Sequence, residues 1–458
     1  MEAFLIKALQ LILCFAILVV LHELGHFLFA KLFKVKVEKF CIFFDPWKSW
    51  KLFSWHGTDY HIGWLPLGGY VKIAGMIDES MDTEQMKQPV KPWEFRAKPA
   101  WQRLLIMVGG VLVNFLLALF IYAMILFTWG DSFIPINKMS EGFAFNEQAQ
   151  KLGFKNGDIP LQADDKTFDR FSTDMYRDIS EAHNVIVLRK GEKVDVKLPG
   201  DLSLLDMLRN RPAFLEPMLP SLIDEVEKGS PAEKCGVKRG DRLISFNGKA
   251  ISTWNEFDIA MADVKSSVKT YTEEGNVAKA DSLRTVKIVV IHANASTPDS
   301  MVMRLRKSDL LMGIQKHNAL ADYPVTHRSY GFFESLPAGA VHGWDVLCGY
   351  VDDLKYLGTG EGLKSIGSFG AIGNLFPAQW DWLRFWELTA FISLMLAFLN
   401  ILPIPALDGG HVLFLLWEVI TRRKPSDKFI ERAQIVGMAL LFALMAFAIF
   451  NDLDRFVF

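Results

Sequence analysis

His22, Glu23 and His26 stand in the order His-Glu-Leu-Gly-His. Four residues apart on an α-helix, two imidazoles lie one above the other on one face and can share a metal ion, for which zinc is suited. Glu23 between them is placed to take a proton from a water that the metal acidifies to a pKa of roughly 7. As a bare five-residue pattern this has many chance matches. Its setting sharpens it, because the pattern lies inside an apolar run covering residues 4–33. Each charged side chain in a membrane span costs roughly 2.5–3.5 kcal/mol on insertion scales. Ionisable groups persist there where they have partners, and a metal is the partner that suits this spacing. The alternative is a pair of histidines facing a polar gap between helices.

Two imidazoles and a water leave a catalytic zinc one protein ligand short. A second apolar run ends in Asn400-Ile401-Leu402-Pro403-Ile404-Pro405-Ala406-Leu407-Asp408-Gly409-Gly410. Pro403 and Pro405 must break the helix there, and the glycines let the backbone turn sharply before a new helix at His411. Irregular backbone at membrane depth needs protein or water around it, which an active site provides. Asp408, on the break itself, can supply the third ligand. His411 competes with it, because imidazole suits zinc as well as carboxylate does.

Four segments are long and apolar enough to position these groups: residues 4–33, 104–129, 385–402 and 433–450. The first is expected to be a retained span and not a cleaved signal peptide, since no small-x-small site follows and the run continues into the histidine motif. Lysines 31, 34, 36 and 39 follow the first span, Lys91, Arg96, Lys98 and Arg103 precede the second, and Arg422, Arg423, Lys424, Lys428 and Arg432 precede the fourth. The positive-inside rule then places both termini and the long middle region outside the cytoplasm. The first and third spans run in the same direction, so the histidines and the Asn400–Asp408 stretch arrive at one level, toward the cytoplasmic side.

The middle region is mixed and charged like a soluble protein, although the chain of 458 residues is 51% apolar as a whole. Within it, residues 149–171 align without a gap to 232–254 at an offset of 83, sharing Ala149/Ala232, Gly153/Gly236, Gly157/Gly240, Asp158/Asp241 and Lys166/Lys249. A repeat of this period predicts two small domains in tandem. The second copy, GSPAEKCGVKRGDRLISFNGKAI, resembles PDZ domains and continues into expected strands at 286–292 and 310–315; the first copy lacks a clear Gly-Ser-Pro-Ala. Such domains capture extended peptides at a sheet edge, or they act here as spacers that block large substrates. A net charge of −2 argues against nucleic acid as a partner, and the four scattered cysteines form no metal or disulfide pattern.

The histidine motif in a first span, tandem PDZ repeats and NxxPxPxLDGG in a later span together resemble the site-2 protease family of intramembrane zinc metalloproteases, over nearly the whole chain. The resemblance includes a bacterial form with two PDZ domains. It implies a polytopic α-helical inner-membrane protein of four transmembrane helices, a membrane-dipping β-hairpin and two tandem periplasmic PDZ domains. It also implies cleavage of single-pass membrane proteins in or near the lipid bilayer after a first protease has cut them, with anti-sigma factors and leftover signal peptides as typical substrates. The division expected is a membrane core at 1–130, PDZ domains at 131–220 and 221–320, a linker with an amphipathic helix at 321–380, and a second membrane core at 381–458. Carried over by position, His22, His26 and Asp408 become zinc ligands and Glu23 the base, and the resemblance favours Asp408 over His411. Asn400 would hold the substrate backbone or the developing oxyanion, with Pro403 and Pro405 beside it. Gly68, Gly69, Tyr70 and Val71, within a segment 63–72 that alternates and turns like a hairpin, would pair with the substrate as an added strand; a plain cytoplasmic hairpin is the alternative.

Other segments are read more simply. Gly109, Gly110 and Asn114 have small-residue spacing that permits close helix contact. Residues 339–357 read as an amphipathic helix on the outer membrane surface or against the PDZ pair, 358–377 as a glycine-rich re-entrant loop, and 76–98 as a polar surface loop. Two other classes of function compete: a membrane scaffold with a vestigial metal site, and an ion or proton transporter using intramembrane His, Glu and Asp.

Overall fold

The computed structural model describes residues 2–45, 47–76, 88–209, 212–359, 362–363 and 366–456. The chain divides into one unit formed by Met1–Asp131 with Arg328–Phe458, and a second formed by Ser132–His327.

The first unit is built on helices. Glu2–Leu32 (α1), Ala100–Trp129 (α2), Phe332–Asp353 (α3), Trp382–Ile401 (α4), Asp408–Thr421 (α5) and Asp427–Phe456 (α6) carry it. Among the described residues, four helical stretches, Glu2–Leu32, Ala100–Trp129, Trp382–Ile401 and Lys428–Arg455, are long and apolar enough to cross a membrane. They are apolar around most of their circumference, as helices with lipid on one side and protein on the other must be. Helix α2 starts after Pro99 and ends at Gly130, whose φ of 68° continues no helix. Helix α4 is capped by Asp381, which accepts from the backbone of Leu383 and Arg384.

Helix α3 is longer than the amphipathic stretch expected at 339–357. It packs along α2, where a Cβ on Gly339 would lie 2.3 Å from the Ala123 nitrogen, and Val346 and Leu347 join Ala118, Tyr122 and Ala390 in one apolar cluster. Within 358–377 a short helix, Phe369–Leu375, forms instead of a bare loop. Asp452 on α6 accepts from the backbone of Ser368 and Ala371 at its start. Of the stretch 76–98, residues 77–87 lie outside the described residues; Phe95 after them is buried in the core.

Between α1 and α2 the chain forms a four-stranded sheet from Val37–Phe44 (β1), Trp50–Trp55 (β2), Thr58–Ile62 (β3) and Leu65–Ile73 (β4), in the order β2-β3-β1-β4. Strand β1 is parallel to β3 and antiparallel to β4. One face, with Val37, Phe40, Val71 and Ile73, packs into a core shared with Ala30, Ile106 and Met107. The segment 63–72 is therefore not a hairpin closed on itself. It is one strand at the end of the sheet, paired with β1 along one side.

In the second unit the repeat has a structural counterpart. Strands Ile159–Ala163, Lys166–Thr167, Asn184–Arg189 and Glu192–Lys197 are ordered as are Arg242–Phe246, Lys249–Ala250, Thr285–Ile291 and Pro298–Arg304. The Gly-Asp turns match in detail, because Asp158 accepts from the Lys155 nitrogen and Asp241 from the Lys238 nitrogen, each at 2.8 Å. The strand expected at 286–292 forms; the one expected at 310–315 is Ile314–Lys316. The helix Trp254–Glu273 opens with a capping box between Thr253 and Glu256 and buries Trp254 in the second core.

Candidate metal centre

His22 and His26 face the point where α2 crosses α1. The crossing is possible because glycine stands at each contact. A Cβ on Gly25 would lie 2.3 Å from the Gly109 carbonyl oxygen, and one on Gly110 would lie 2.4 Å from His26 Nε2. Asp408 arrives from the other direction. Helix α4 stops at Ile401, the chain turns through residues 402–407, and α5 starts at Asp408 itself. This turn is tight: Ala406 takes a φ of 75°, and a Cβ on Gly409 would lie 1.9 Å from the Leu402 carbonyl oxygen.

Asp408 Oδ2 lies 3.1 Å from His22 Nε2 and 3.3 Å from His26 Nε2, and the two imidazole nitrogens lie 3.2 Å apart. Ligands on a tetrahedral zinc ion at bonds of about 2.0–2.1 Å are separated by about 3.3–3.4 Å. The triangle fits that ion. The other imidazole nitrogens bear this out. His26 Nδ1 lies 2.9 Å from the Ile106 carbonyl, which can only accept, so this nitrogen carries the proton and Nε2 offers a lone pair to the triangle. His22 Nδ1 is 3.4 Å from the amide of Asn114, whose Oδ1 is buried without a partner among the described residues; with the amide turned oxygen-inward it fixes His22 in the same tautomer. Three electron-pair donors then converge, and Asp408 Oδ2 is buried with no hydrogen-bond donor of its own among the described residues. With the rings neutral, such a convergence of electron-pair donors suits a cation.

A cavity of about 630 Å³ opens on the triangle. It is lined by His22, Glu23, His26, Asn400 and Asp408, and by Gly69, Tyr70 and Val71 of β4. The structure thus brings together most of the residues singled out by motif. Gly68, Pro403 and Pro405 are not among the lining residues: Gly68 sits against the Phe44 ring, and the Pro405 carbonyl abuts Gly437 of α6. His411 reaches the cavity but stands outside the donor triangle, with Nε2 3.1 Å from the Gln434 amide nitrogen.

Sequence reasoning passed over Lys39 and Asp45, which also line this cavity. Lys39 Nζ lies 2.5 Å from Asp45 Oδ2 and 2.6 Å from the Tyr70 hydroxyl. Burial works against the Lys39 ammonium, but Asp45 and Tyr70 outweigh it and hold its pKa above the usual lysine range. Burial likewise opposes the Asp45 carboxylate, and Lys39 with Ser49 keeps its pKa below the usual range. The one signal was a lysine just ahead of the apolar run Phe40–Phe44 of the same strand.

Residues 10–444 match the model of peptidase family M50. A Vibrio cholerae protein assigned as a candidate zinc metalloprotease is 29% identical, covering 97% of both chains. The regulator of sigma-E protease RseP of Escherichia coli K12 is 28% identical over 99% of this chain and 100% of its own. The regulator of sigma E protease of Salmonella typhi is 27% identical over 97% of each.

Proposed function

The chain belongs to peptidase family M50 and is a zinc metalloprotease, and from that premise we propose that it cleaves single-pass membrane proteins within or near the bilayer, with His22, His26 and Asp408 holding the zinc. The observation that carries this reading is the triangle of donors with mutual distances of 3.1 to 3.3 Å on helices apolar enough to cross a membrane. Zinc bound there supplies a Lewis acid for the scissile carbonyl and lowers the pKa of attacking water.

The chain's own residues do the rest. Glu23, between the two histidines on α1 and lining the cavity, is the general base that takes the proton from water and returns it to the leaving amine. Asn400, at the end of α4, holds the substrate backbone or donates to the oxyanion as charge develops on it. A helical substrate hides its peptide groups in its own hydrogen bonds. Strand β4, with one side unpaired by any described strand, offers a template on which an unwound segment adds as a further strand through Gly69, Tyr70 and Val71. Gly68, Pro403 and Pro405 support this wall and the break beside it.

By analogy with the relatives named for sigma-E regulation, the substrates we propose are anti-sigma factors already cut once on the outer side, and signal-peptide remnants. The chain would lie in a bacterial inner membrane, with both termini and two PDZ-type domains, at 131–220 and 221–320, on the periplasmic side. Those domains would capture chain ends or exclude bulky substrates. Lysine and arginine clustering supports this orientation.

Purified protein in lipid, given a model single-pass substrate, tests the assignment. Glu23→Gln should keep about one zinc per chain and lose cleavage by about 10²–10⁴-fold, while Asp408→Ala should lose the metal itself. Cleavage at the wild-type rate by Glu23→Gln would sink the mechanism.

A further inference from the structure

Besides the three candidate metal ligands, the cavity is lined by a charged cluster of Lys39, Asp45 and Tyr70. Lys39 on β1 reaches Asp45 Oδ2 at 2.5 Å, the Tyr70 hydroxyl of β4 at 2.6 Å and Ser49 Oγ at 3.1 Å. Ser49 lies in turn 2.9 Å from His61 Nδ1 on β3. The cluster therefore joins three strands and the turn between β1 and β2.

A cluster in such a place either reads a substrate side chain or holds the wall. The count of donors decides between them. An ammonium group has three N–H donors, and Lys39 has three oxygen partners, so it has none left to offer a ligand. The Lys39 and Asp45 side chains are only 21% and 11% exposed, and at this burial a pair with complementary partners is a rigid tie. Register explains what it ties. Lys39 is paired with Lys72 and Cys41 with Tyr70, so Lys39 reaches diagonally across to a residue on its own face of the sheet. Strand β4 has β1 as its one hydrogen-bonded neighbour among the described strands, and side-chain ties are what else keeps such an edge from fraying.

We propose that Lys39 is a positioning residue of the protease: through Asp45, Ser49 and Tyr70 it holds β4 as a fixed wall of the catalytic cavity, against which substrate backbone is laid. This rests on the edge-strand reading given above, and the two fail in different ways. The test uses the full chain in lipid, a fluorogenic peptide, and the same peptide N-methylated at alternate amides, which removes the donors a strand needs. In the wild type N-methylation should raise KM. Lys39→Met should raise KM for the unmodified peptide about tenfold with kcat within about twofold and zinc content unchanged. Adding Tyr70→Phe should raise it no further, since both substitutions cut the same tie.

If N-methylation leaves the wild-type KM unchanged, the edge-strand reading falls and this inference with it. If N-methylation matters but Lys39→Met leaves KM unchanged, or lowers kcat and zinc content together, the inference alone is overturned. Should Lys39→Met fail to fold, Asp45→Asn, which keeps the volume and removes the charge, is measured against the same outcomes.

Discussion

Gly110 has no side chain to offer, yet its place beside the two histidines admits no larger residue. A Cβ there would lie 2.4 Å from His26 Nε2 and 2.7 Å from His22 Cε1, inside the van der Waals limit for both rings. Gly110→Ala should favour the isolated helix by about 1 kcal/mol and still displace the imidazoles. The expected result is a folded protein with well under one zinc per chain by metal analysis, and full zinc with full activity in that variant would contradict the account. Some of this scale was legible beforehand. Spacing alone put His22 and His26 on one face, and topology brought Asp408 to their depth. The place of Asp408 on the helix break and the resemblance favour it over His411; no pattern announces the shape of the turn at 402–407, where Ala406 takes a positive φ. The Lys39–Asp45–Tyr70 tie could not be read as a unit, because Tyr70 is 31 residues from Lys39 and meets it only through the register of β1 against β4.

At the level of elements, the ends of three strands in the second repeat are joined by one imidazole. His292, just after the strand Thr285–Ile291, lies 2.9 Å from Asp241 by Nδ1 and 3.4 Å from Asp299 by Nε2. The bond to Asp241, and then that to Asp299, favour the imidazolium and raise its pKa above the ordinary 6.5. A group whose pKa is raised by folding binds its proton more tightly in the folded state. Its contribution is therefore complete below pH 6.5 and is lost as pH climbs through the raised value. Amide hydrogen exchange across 285–304, corrected for intrinsic rates, should show protection that weakens over that interval, and His292→Gln should flatten the dependence. Protection that strengthens with pH would refute the assignment. The first repeat is a natural control, since the equivalent Asp158 is held by Arg189 at 2.6 Å, which does not titrate in this range. Elements were the most legible scale: the four spans lie within a few residues of their expected places. The expected hairpin at 63–72 was misread because its alternation is that of one edge strand, whose partner β1 lies more than twenty residues earlier.

Taken whole, the chain combines helices that can cross a membrane with a second unit of two repeated sheets. If the repeats filter substrates, removing residues 135–318 should permit cleavage of model substrates that keep a bulky outer domain, and unchanged substrate choice would count against filtering. The repeat was readable from Gly-Asp at an offset of 83, whereas the long helix Trp254–Glu273 carries no motif that forecasts its length. The central claim is that a zinc centre built on apolar helices cuts peptide bonds at membrane depth. Mass spectrometry of the products from a reconstituted single-pass substrate tests it most directly. The account predicts a scissile bond inside the substrate's apolar segment, toward its cytoplasmic end, absent with Glu23→Gln. Cuts confined to the water-exposed flanks, with the apolar segment always intact, would contradict it.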